Sequence, residues 1–442
     1  MSESFHILEP SYDAATAVAR FPYRLGDLTF TETLTFPAGA RDGATAHPAL
    51  PRLLHLAALV LGTSYFKLRA PLTIDAAFPL NADERAFALD VYGNGLGEFY
   101  ARNNLQRFDR LTITAPDPDG TRVPPATLTD RILLPIGGGK DSLVSVQLLE
   151  RAGIDFAPFA VNPKGPILGS VDRIARAPLY VERKLDPEMI RLGQLPGYYN
   201  GHVPSTAINA TIAALTAWLF DYAAIAFSNE RSASEGNAIH DGREVNHQYS
   251  KSIGFEATIG AVLATATAGA LSCFSLLRPY SEARIAALFT RESRFDHVFS
   301  SCNRNFKLSG HDGPLWCGEC PKCHFTFLMM APHMSRERML GIFGADFLDN
   351  PANERSFREL TGLAGQKPWE CVGEIEEAAA CLHTLTIRPE WQNTAIVRAL
   401  REPLLAQYGS SRLEAALAAL FVDSPEHRIP AAIAERIAPH AP

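Results

Sequence analysis

Residues 133–144 read LLPIGGGKDSLV, and this stretch decides how the chain folds. An apolar run with strand character ends in three consecutive glycines, and apolar residues then recur at helical spacing. The stretch therefore predicts a strand, a tight turn and the start of a helix. Glycines let a backbone approach an anion closely, and the unpaired N–H groups of a helix start attract negative charge. The turn is thus expected to bind phosphate.

The residues after the glycines specify the kind of turn. Lys140 supplies a positive charge, and the Ser142 hydroxyl can cap the helix or bond a phosphate oxygen. A Walker A motif requires Ser or Thr directly after Gly-Lys, whereas Lys140 is followed by Asp141. The run instead resembles the PP-loop of the ATP pyrophosphatases, SGGxDS, with Gly137 at the first position. The alternative is a glycine turn without a ligand.

The PP-loop resemblance implies cleavage of ATP between the α- and β-phosphates, with AMP transferred to a carboxylate or carbonyl oxygen of the substrate. It also implies which residues bind the nucleotide: Gly137, Gly138, Gly139, Lys140, Asp141 and Ser142.

Length and composition bound the class of protein. With 442 residues, the chain is expected to form two or three domains. Hydrophobic residues make up 47% and charged residues 20%, which is typical of soluble globular proteins. The formal net charge of −7 argues against a nucleic-acid partner. The first residues, MSESFH, lack the features of a secretory signal, so we expect a cytoplasmic location.

One uncharged run, residues 257–277, is long enough to cross a bilayer but is diluted with Ala, Thr and Gly. A buried helix followed by a buried strand is the preferred interpretation, and we expect no membrane contact.

A change in sequence rhythm predicts three regions. The segment 116–125, PDPDGTRVPP, is rich in turn formers and marks the first boundary. Residues 1–125 are expected to form a mixed α+β module, with strands at 23–28, 31–36, 87–91 and 111–115 and a helix at 50–61. Residues 126–335 alternate strands and helices, which indicates a parallel sheet covered on both faces. Residues 336–442 have the composition of a helical tail.

Within the middle region, strands are predicted at 131–136, 156–161, 179–183, 222–228, 271–277 and 295–300, and helices at 142–152, 204–221, 257–270 and 280–290.

A cysteine cluster is the second strong signal. Four thiolates that can surround one Zn²⁺ tetrahedrally come from Cys302, Cys317, Cys320 and Cys323. Four cysteines already complete the shell, so the site should be closed and structural, and zinc is favoured over an iron–sulfur cluster. His324 is expected to lie on a helix face instead of binding the metal.

A dense block of polar residues follows the predicted strand that ends near Phe227. Residues 228–237 read SNERSASEGN, and residues 245–252 read VNHQYSKS. The carboxyl end of an inner strand is where a parallel α/β sheet builds its site. Arg231 can hold a carboxylate or phosphate, and Lys251 can supply a second charge. Candidates for proton transfer are Glu230, Glu235 and His247.

A smaller polar group, consisting of Glu98, Arg102, Asn103 and Asn104, lies in the N-terminal module. We expect a solvated turn there more than a ligand contact.

The PP-loop combined with the cysteine motif resembles the 7-cyano-7-deazaguanine synthase (QueC-like) branch of the PP-loop superfamily. Members of that branch lack the N-terminal module and the helical tail. The whole chain is more similar to the MurL family, the epimerases of UDP-N-acetylmuramoyl-L-alanyl-L-glutamate. This second resemblance is carried by the module, the loop at 137–142, the block at 228–231, CGECPKC at 317–323 and KPWECVG at 367–373.

The MurL resemblance implies an α/β fold with a PP-loop core of the adenine nucleotide alpha hydrolase type, and a specific reaction. ATP adenylylates the α-carboxylate of the terminal glutamate, which releases pyrophosphate and makes the α-proton acidic. A base removes that proton, a proton returns on the opposite face, and hydrolysis yields the D-glutamyl product and AMP. Mg²⁺ or Mn²⁺ is expected to bridge the ATP phosphates, with Asp141 as the first protein ligand.

Residue roles follow from the block and from the resemblance together. The catalytic candidates are Asp141, Lys140, His247, Glu230, Glu235, Arg231 and Lys251. His247 is the candidate for one proton-exchange partner, with Glu230 or Glu235 as the other. Cys371 and His202 are further candidates, although a buried structural cysteine is the preferred interpretation of Cys371. The N-terminal module is suggested to recognise the UDP-sugar part of the substrate.

Two other functions stay open at this point. One is a QueC-like enzyme that uses ATP to form an amide or nitrile from a carboxylate. The other is a nucleotide-sensing protein in which Gly137, at the usual Ser position, accompanies the loss of catalysis.

Overall fold

The structure is a computed structural model, which describes residues 4–234, 236, 238–306, 313–365, 368, 370 and 372–441.

The first part of the chain builds one half of a sheet from strands with alternating burial, as in the eight residues of β3. The strands are β1 (Ser4–Ile7), β2 (Ser11–Asp13), β3 (Val18–Leu25), β4 (Leu28–Thr35), β5 (Thr73–Ala76) and β6 (Thr112–Thr114). β3 pairs antiparallel with β1, β2 and β4, whereas β5 runs parallel to β1 and β6.

The second part forms the predicted parallel sheet, in the order β13-β10-β7-β8-β9. Its strands and a separate antiparallel hairpin, β11–β12, are β7 (Ile132–Pro135), β8 (Phe156–Val161), β9 (Leu179–Lys184), β10 (Ala224–Phe227), β11 (Ala238–His240), β12 (Arg243–Val245) and β13 (Ser272–Ser275). Neighbouring residues of β7 face different cores. Leu133 packs with the N-terminal half, whereas Ile132 and Leu134 pack with the cysteine region and the tail. Both faces of the sheet are therefore covered.

The two halves share one continuous sheet. β9 pairs antiparallel with β4, so that eleven strands of the described residues are joined. At this seam the guanidinium of Arg183 donates a hydrogen bond to the fully buried carboxylate of Glu32, with an Nε–Oε1 distance of 2.6 Å. The predicted divisions at residues 125 and 335 stay a prediction, but strands of the module and of the core pair directly with each other.

Helices cover the sheet on both faces. Those of the first two regions are α1 (Ala49–Leu61), α2 (Thr63–Phe66), α3 (Ala82–Gly93), α4 (Gly97–Arg102), α5 (Lys140–Arg151), α6 (Pro166–Ile174), α7 (Pro187–Leu192), α8 (Ser205–Leu219), α9 (Ile253–Ala266), α10 (Glu282–Phe289) and α11 (Pro321–Met330). α1, α8 and α9 pack on the face shared with the N-terminal half, and α5, α10 and α11 pack on the other.

The tail is helical, as predicted. Its helices are α12 (Arg336–Phe343), α13 (Glu354–Leu360), α14 (Ile375–Leu385), α15 (Ala395–Tyr408), α16 (Ser410–Leu420) and α17 (Ala431–Ile437). Short 3₁₀ turns occur at Arg231–Ser234, Tyr249–Lys251, Asn303–Phe306, Pro351–Asn353 and Ala438–His440. The tail packs on the start of α10, where Glu377 Oε1 accepts a hydrogen bond from the Ala283 N–H at 2.8 Å. Tail residues thereby help to bury the neighbouring Glu282.

Two predicted strands are wrong. Residues 87–91 lie in α3, whose start is fixed by a reciprocal capping box between Asn81 and Glu84. Residues 295–300 form consecutive turns after α10, in which the N–H groups of Val298 and Phe299 bond the carbonyl of Phe295. The apolar residues of both segments are buried on turns of helical type, which short apolar runs do not distinguish from strands.

The apolar run at 257–277 contains the end of α9 and then β13, which confirms the predicted helix and strand. A different segment, Ala49–Phe66, is long and apolar enough to cross a membrane, but 83% of it is buried inside the protein, as in a core helix.

Candidate active site

The turn between β7 and α5 lies at the carboxyl edge of the parallel sheet. Gly138 has a φ of +76°, and a Cβ there would lie 2.9 Å from the backbone of Pro166 and Ile167. A Cβ on Gly139 would lie 3.0 Å from Ser301 Oγ. No side chain among the described residues caps α5. The Ser142 hydroxyl, which could have done so, donates to the Gly139 carbonyl at 3.2 Å. The helix start therefore keeps its N–H groups for a ligand.

A cavity of about 460 Å³ opens beside this turn. Its polar walls come from four parts of the chain: Gly137, Gly139, Asp141 and Ser142 of the turn; Ser205, Thr206 and Asn209 at the start of α8; Ser228 and Asn229 after β10; and Ser300, Ser301 and Lys322 of the cysteine region. Apolar residues such as Phe159, Ile167 and Phe306 complete it. The size and the mixture of apolar walls with a few polar groups are typical of a small-molecule site.

Lys140 does not line the cavity but lies behind the turn. Its side chain is 4% exposed, and the ammonium group forms ion pairs with Asp141 and Glu282. Carboxylate oxygens of Asp141, Glu230 and Glu282 approach within 4.8 Å of one another. We call Lys140 and these three acidic residues the carboxylate cluster.

Burial and charge set the ionisation of the carboxylate cluster. Burial raises the pKa of Glu282 to about 8, and the charges of Asp141 and Glu230 add to this effect against the opposing charge of Lys140. Burial alone would lower the pKa of Lys140, but Asp141 and Glu282 outweigh it and raise the pKa. One ammonium thus faces an excess of carboxyl groups, an environment that favours a bound cation.

Other predicted residues lie outside the cavity wall. Glu230 is 3% exposed and belongs to the carboxylate cluster. The Arg231 guanidinium donates to the Val422 carbonyl at 3.2 Å, and the Lys251 ammonium donates to Gln248 Oε1 at the same distance. Two predicted candidates, Glu235 and Cys371, lie outside the described residues.

The four predicted cysteines come together. The Sγ–Sγ distances are 3.7 Å for Cys317–Cys323, 3.4 Å for Cys320–Cys323 and 4.0 Å for Cys320–Cys302. Four sulfurs bound to zinc at ~2.3 Å in a tetrahedron would lie ~3.8 Å apart, so the donor set fits a Zn²⁺ ion. The Cys302 end of the site follows the turns at 295–300, which corrects the predicted strand end.

His324 is not a metal ligand in this arrangement. It lies on α11, as predicted, and both ring nitrogens have partners, Nδ1 with Ser356 Oγ at 2.7 Å and Nε2 with the Gly318 carbonyl at 2.9 Å. Gly318 has a φ of +70° between two cysteines, so this histidine stabilises the turn that carries them.

A second polar cluster lies on the side of the N-terminal module. Oε2 of Glu98 on α4 meets Nδ1 of His247 and Nδ1 of His202, the latter at 3.3 Å. The Glu98 side chain is only 6% exposed, so the expected solvated turn is wrong at this position. Burial opposes ionisation of Glu98, but the hydrogen bond and charge of His247 lower its pKa. Burial and the neighbouring His247 lower the pKa of His202 to about 4.

Sequence reasoning missed four features of this site. Glu282 carries no motif in the sequence, and Glu98 lies in a polar group for which a solvated turn is the preferred interpretation. Lys322 lies within the cysteine motif, and Asn209 follows His202 by seven positions. The available signal was a nearby proline that begins or precedes each helix, Pro321 for Lys322 and Pro204 for Asn209.

Known proteins identify the family of this chain. A family model of the MurL N-terminal domain matches residues 1–276, and one of the MurL C-terminal domain matches residues 298–414. The chain belongs to the MurL family. Its two matched regions join between β13 and the cysteine cluster, so the cavity is built from both.

Similar curated proteins cover nearly the whole chain. A Micromonospora protein is 41% identical over 440 residues, which are 97% of each chain. A Xanthomonas oryzae pv. oryzae protein is 37% identical over 98% of this chain and 96% of its own length. A Salinispora tropica protein is 40% identical over 90% and 88%. All three are named UDP-N-acetyl-alpha-D-muramoyl-L-alanyl-L-glutamate epimerase.

Proposed function

We propose that this protein is an isomerase that converts the terminal L-glutamate of UDP-MurNAc-L-Ala-L-Glu to D-glutamate with ATP, through an acyl adenylate. The observation that carries the proposal is the cavity beside the glycine turn, in a chain that matches a named epimerase of this substrate over 97% of its length. The reaction would release AMP and pyrophosphate and supply a precursor of peptidoglycan, and therefore of cell wall and cell shape.

The surroundings of the glycine turn support the proposal that the cavity binds the phosphates of ATP. The start of α5 offers backbone N–H groups, and Gly139 allows the close approach. Lys322 also lines the cavity, and no carboxylate of the described residues forms an ion pair with it. We therefore propose that Lys322 supplies the positive charge that binds phosphate. We propose that Lys140 neutralises the carboxylates of Asp141 and Glu282.

Magnesium or manganese would bind at the cavity edge through Asp141, which both lines the cavity and belongs to the carboxylate cluster. Such hard cations prefer oxygen ligands and usually bridge ATP phosphates, where they neutralise developing charge. The carboxyl groups of Glu230 and Glu282 lie next to Asp141, and a cation bound there would favour their ionised forms.

Activation of the carboxylate explains why an epimerase would use ATP. An ionised carboxylate next to Cα opposes formation of a carbanion, whereas a mixed anhydride with AMP has no such charge. The electron pair of the Cα–H bond can then move toward the activated carbonyl as a base takes the proton. We propose His247 as one exchange partner and Glu230 or Glu235 as the other. Water finally cleaves the acyl–AMP bond.

The proposal is tested by incubating the protein with ATP, Mg²⁺ and UDP-MurNAc-L-Ala-L-Glu in deuterated water. Deuterium at the glutamyl Cα, with a matching amount of AMP, is the expected result. AMP release without deuterium in the recovered product would contradict the proposal. Consumption of ammonia would favour an amide- or nitrile-forming enzyme, and ATP binding without cleavage would favour a nucleotide sensor.

Zinc would be held by the four cysteines as a structural ion that fixes the Cys302 segment against the turn. Cys302 is fully buried, and the Ser300 N–H donates to the Gly138 carbonyl at 2.9 Å. Replacing Cys302 by Ser should release one equivalent of zinc and lower Tm by about 10 °C, since the loss of a structural metal site costs several kcal/mol. Metal analysis and thermal melts check this. Lost turnover with unchanged Tm would mean that the metal is catalytic.

A cytoplasmic location is part of the proposal. The described cysteines are all free, including Cys273 and Cys381 outside the metal cluster, and reducing compartments keep cysteines in this state. The proposed partner is a small nucleotide-linked peptide, with no nucleic acid or membrane.

A further inference from the structure

The Glu98 group joins three distant parts of the chain at one point. Glu98 comes from α4, His202 from the segment before α8, and His247 from the segment before the turn at Tyr249–Lys251. We call these three residues the histidine cluster. The two imidazole centroids are 4.9 Å apart and their planes are tilted by 50°.

Close packing of the module brings the histidine cluster together. A Cβ on Gly95 would lie 3.3 Å from Pro204 Cβ, and a Cβ on Gly97 would lie 3.1 Å from Val245 Cγ1. The connection between α3 and α4 therefore contacts both histidine-bearing segments. The N-terminal module is thus part of the site, since it supplies the only carboxylate that the two histidines share among the described residues.

The hydrogen bond between Glu98 and His247 defines the state of the His247 ring, whereas Nδ1 of His202 lies at ion-pair distance, 3.3 Å, from the same oxygen. An ionised carboxylate accepts hydrogen bonds and cannot donate them. Nδ1 of His247 must therefore carry the hydrogen that it shares with Oε2, and the neutral His247 ring then has its lone pair on Nε2. Oε1 of Glu98 accepts from Arg102 Nε at 2.6 Å, so both oxygens are engaged.

We infer that Glu98 is a positioning residue for proton transfer, which holds His247, with His202 beside it, so that Nε2 of His247 is the basic atom on one face of the substrate Cα. The inference rests on the proposed function and deepens it, because it assigns the proton-transfer side of the site to the N-terminal module.

The proton step balances with these groups. Nε2 of His247 takes the α-proton, the C–H electron pair moves toward the acyl-adenylate carbonyl, and the imidazolium that forms is stabilised by Glu98. A second acid returns a proton to the opposite face. His202 contacts the same carboxylate oxygen, so it lies on the same side of the substrate as His247 and cannot be that second acid. The His202 ring itself stays neutral beside His247. His247 then releases its proton to water.

Charged groups around the cluster are consistent with this role. Arg102 and Lys67 face it from α4 and from the end of α2, and both help to lower the pKa of His202. Burial lowers the pKa of Lys67 to about 8, and its ammonium donates to Asn200 Oδ1 at 2.9 Å and to the Gly201 carbonyl at 3.2 Å. The surroundings thus contain one carboxylate, two imidazoles and two cations, which suits an anionic substrate.

The histidine cluster is connected to the cavity wall by a short stretch of chain. His202 precedes the cavity residue Ser205 by three positions, which span at most ~11 Å of extended chain. On the other side of the cluster, Asn246 Nδ2 donates to the Ala233 carbonyl at 3.0 Å, which ties the His247 segment to the block after β10.

The test separates adenylylation from proton transfer in a Glu98→Gln variant. The substrate-dependent exchange of pyrophosphate into ATP should stay within about threefold of wild type, since Glu98 does not line the nucleotide cavity. Deuterium incorporation at Cα should fall by about 10³- to 10⁴-fold, because a glutamine amide can donate to Nδ1 and reverse the tautomer. The acid limb of the remaining pH–rate profile should move to lower pH, since the imidazolium has lost its carboxylate.

Controls distinguish positioning from general damage. Glu84→Gln removes another buried carboxylate of the same module, paired with Arg52 at 2.5 Å, and should change neither rate. His247→Gln should reproduce the loss of deuterium incorporation without a change at position 98. Thermal melts report the folding of each variant.

Three results would overturn the inference. The first is unchanged deuterium incorporation in Glu98→Gln, and the second is an equal loss of pyrophosphate exchange and deuterium incorporation in that variant. The third is that Glu98→Gln binds one equivalent of metal less than wild type, since two imidazoles and a carboxylate can also bind a transition metal. If wild type itself incorporates no deuterium, the proposed function fails. If wild type incorporates deuterium and Glu98→Gln incorporates it at the same rate, only the inference about Glu98 fails.

Discussion

The carboxylate cluster and the histidine cluster are both buried, but their charges are balanced in opposite ways. Behind the glycine turn, one ammonium faces three carboxyl groups, so an additional cation is favoured. On the module side, one carboxylate faces two imidazoles and an arginine, so a proton acceptor and an anion are favoured. The contrast agrees with the proposed division of labour, in which ATP would be activated at the turn and the proton would move at the histidines.

The sharpest test of this division on the turn side is Asp141→Asn. Asp141 is the one carboxylate that belongs to the cluster and lines the cavity. Its loss should reduce substrate-dependent pyrophosphate release by at least about 10³-fold, or ~4 kcal/mol in activation free energy. Release is followed with an enzyme-coupled phosphate assay. Activity at the wild-type rate would remove Asp141 from the site.

Lys140 and Lys322 provide the next comparison, because both lie at the start of a helix but in different surroundings. Lys140→Gln leaves Glu282 buried without its cation and should lower the free energy of unfolding by about 3–5 kcal/mol. Lys322→Gln should leave Tm unchanged and weaken ATP binding by about 10-fold, the loss of one charged contact. Denaturant titration and calorimetric ATP binding measure the two effects. The opposite pattern would show that Lys140 is the phosphate-binding residue.

The sequence predicts contiguous features well. The strand, turn and start of α5 follow from residues 133–144, and the cysteines follow from their spacing, because in both cases the interacting groups are close in the chain. Segment 87–91 was predicted as a strand because its apolar residues suit either structure, and the capping box at Asn81 was not recognised. Local patterns therefore predict the frame of the site.

The long-range parts of the site could not be predicted in this way. The pair Lys140–Glu282 spans 142 positions and the pair Glu98–His247 spans 149. Glu98 was grouped with its polar neighbours as a solvated turn, since nothing in its own segment shows that α4 is buried by two distant loops. The fate of Lys140 was likewise hidden, because a motif places the residue but does not specify the direction of its side chain.

The smallest expected effect concerns Gly137, the position at which PP-loops usually have Ser. A Cβ at Gly137 would meet no atom within 4 Å, in contrast to Gly138, where it would meet backbone at 2.9 Å. Gly137→Ser should therefore change AMP release by less than about threefold and leave Tm within about 2 °C. A large gain in AMP release would favour the nucleotide-sensor interpretation, in which Gly137 accompanies lost catalysis. Gly138→Ala is the matched variant that should destabilise the protein.

The most direct test of the division of labour measures two signals in the same quenched samples of Asp141→Asn and Glu98→Gln. One signal is pyrophosphate exchange into ATP, and the other is deuterium at the glutamyl Cα. The account predicts that Asp141→Asn loses both signals, since proton removal requires the acyl adenylate, and that Glu98→Gln loses only deuterium. Deuterium incorporation by Asp141→Asn, or loss of both signals in Glu98→Gln, would contradict it.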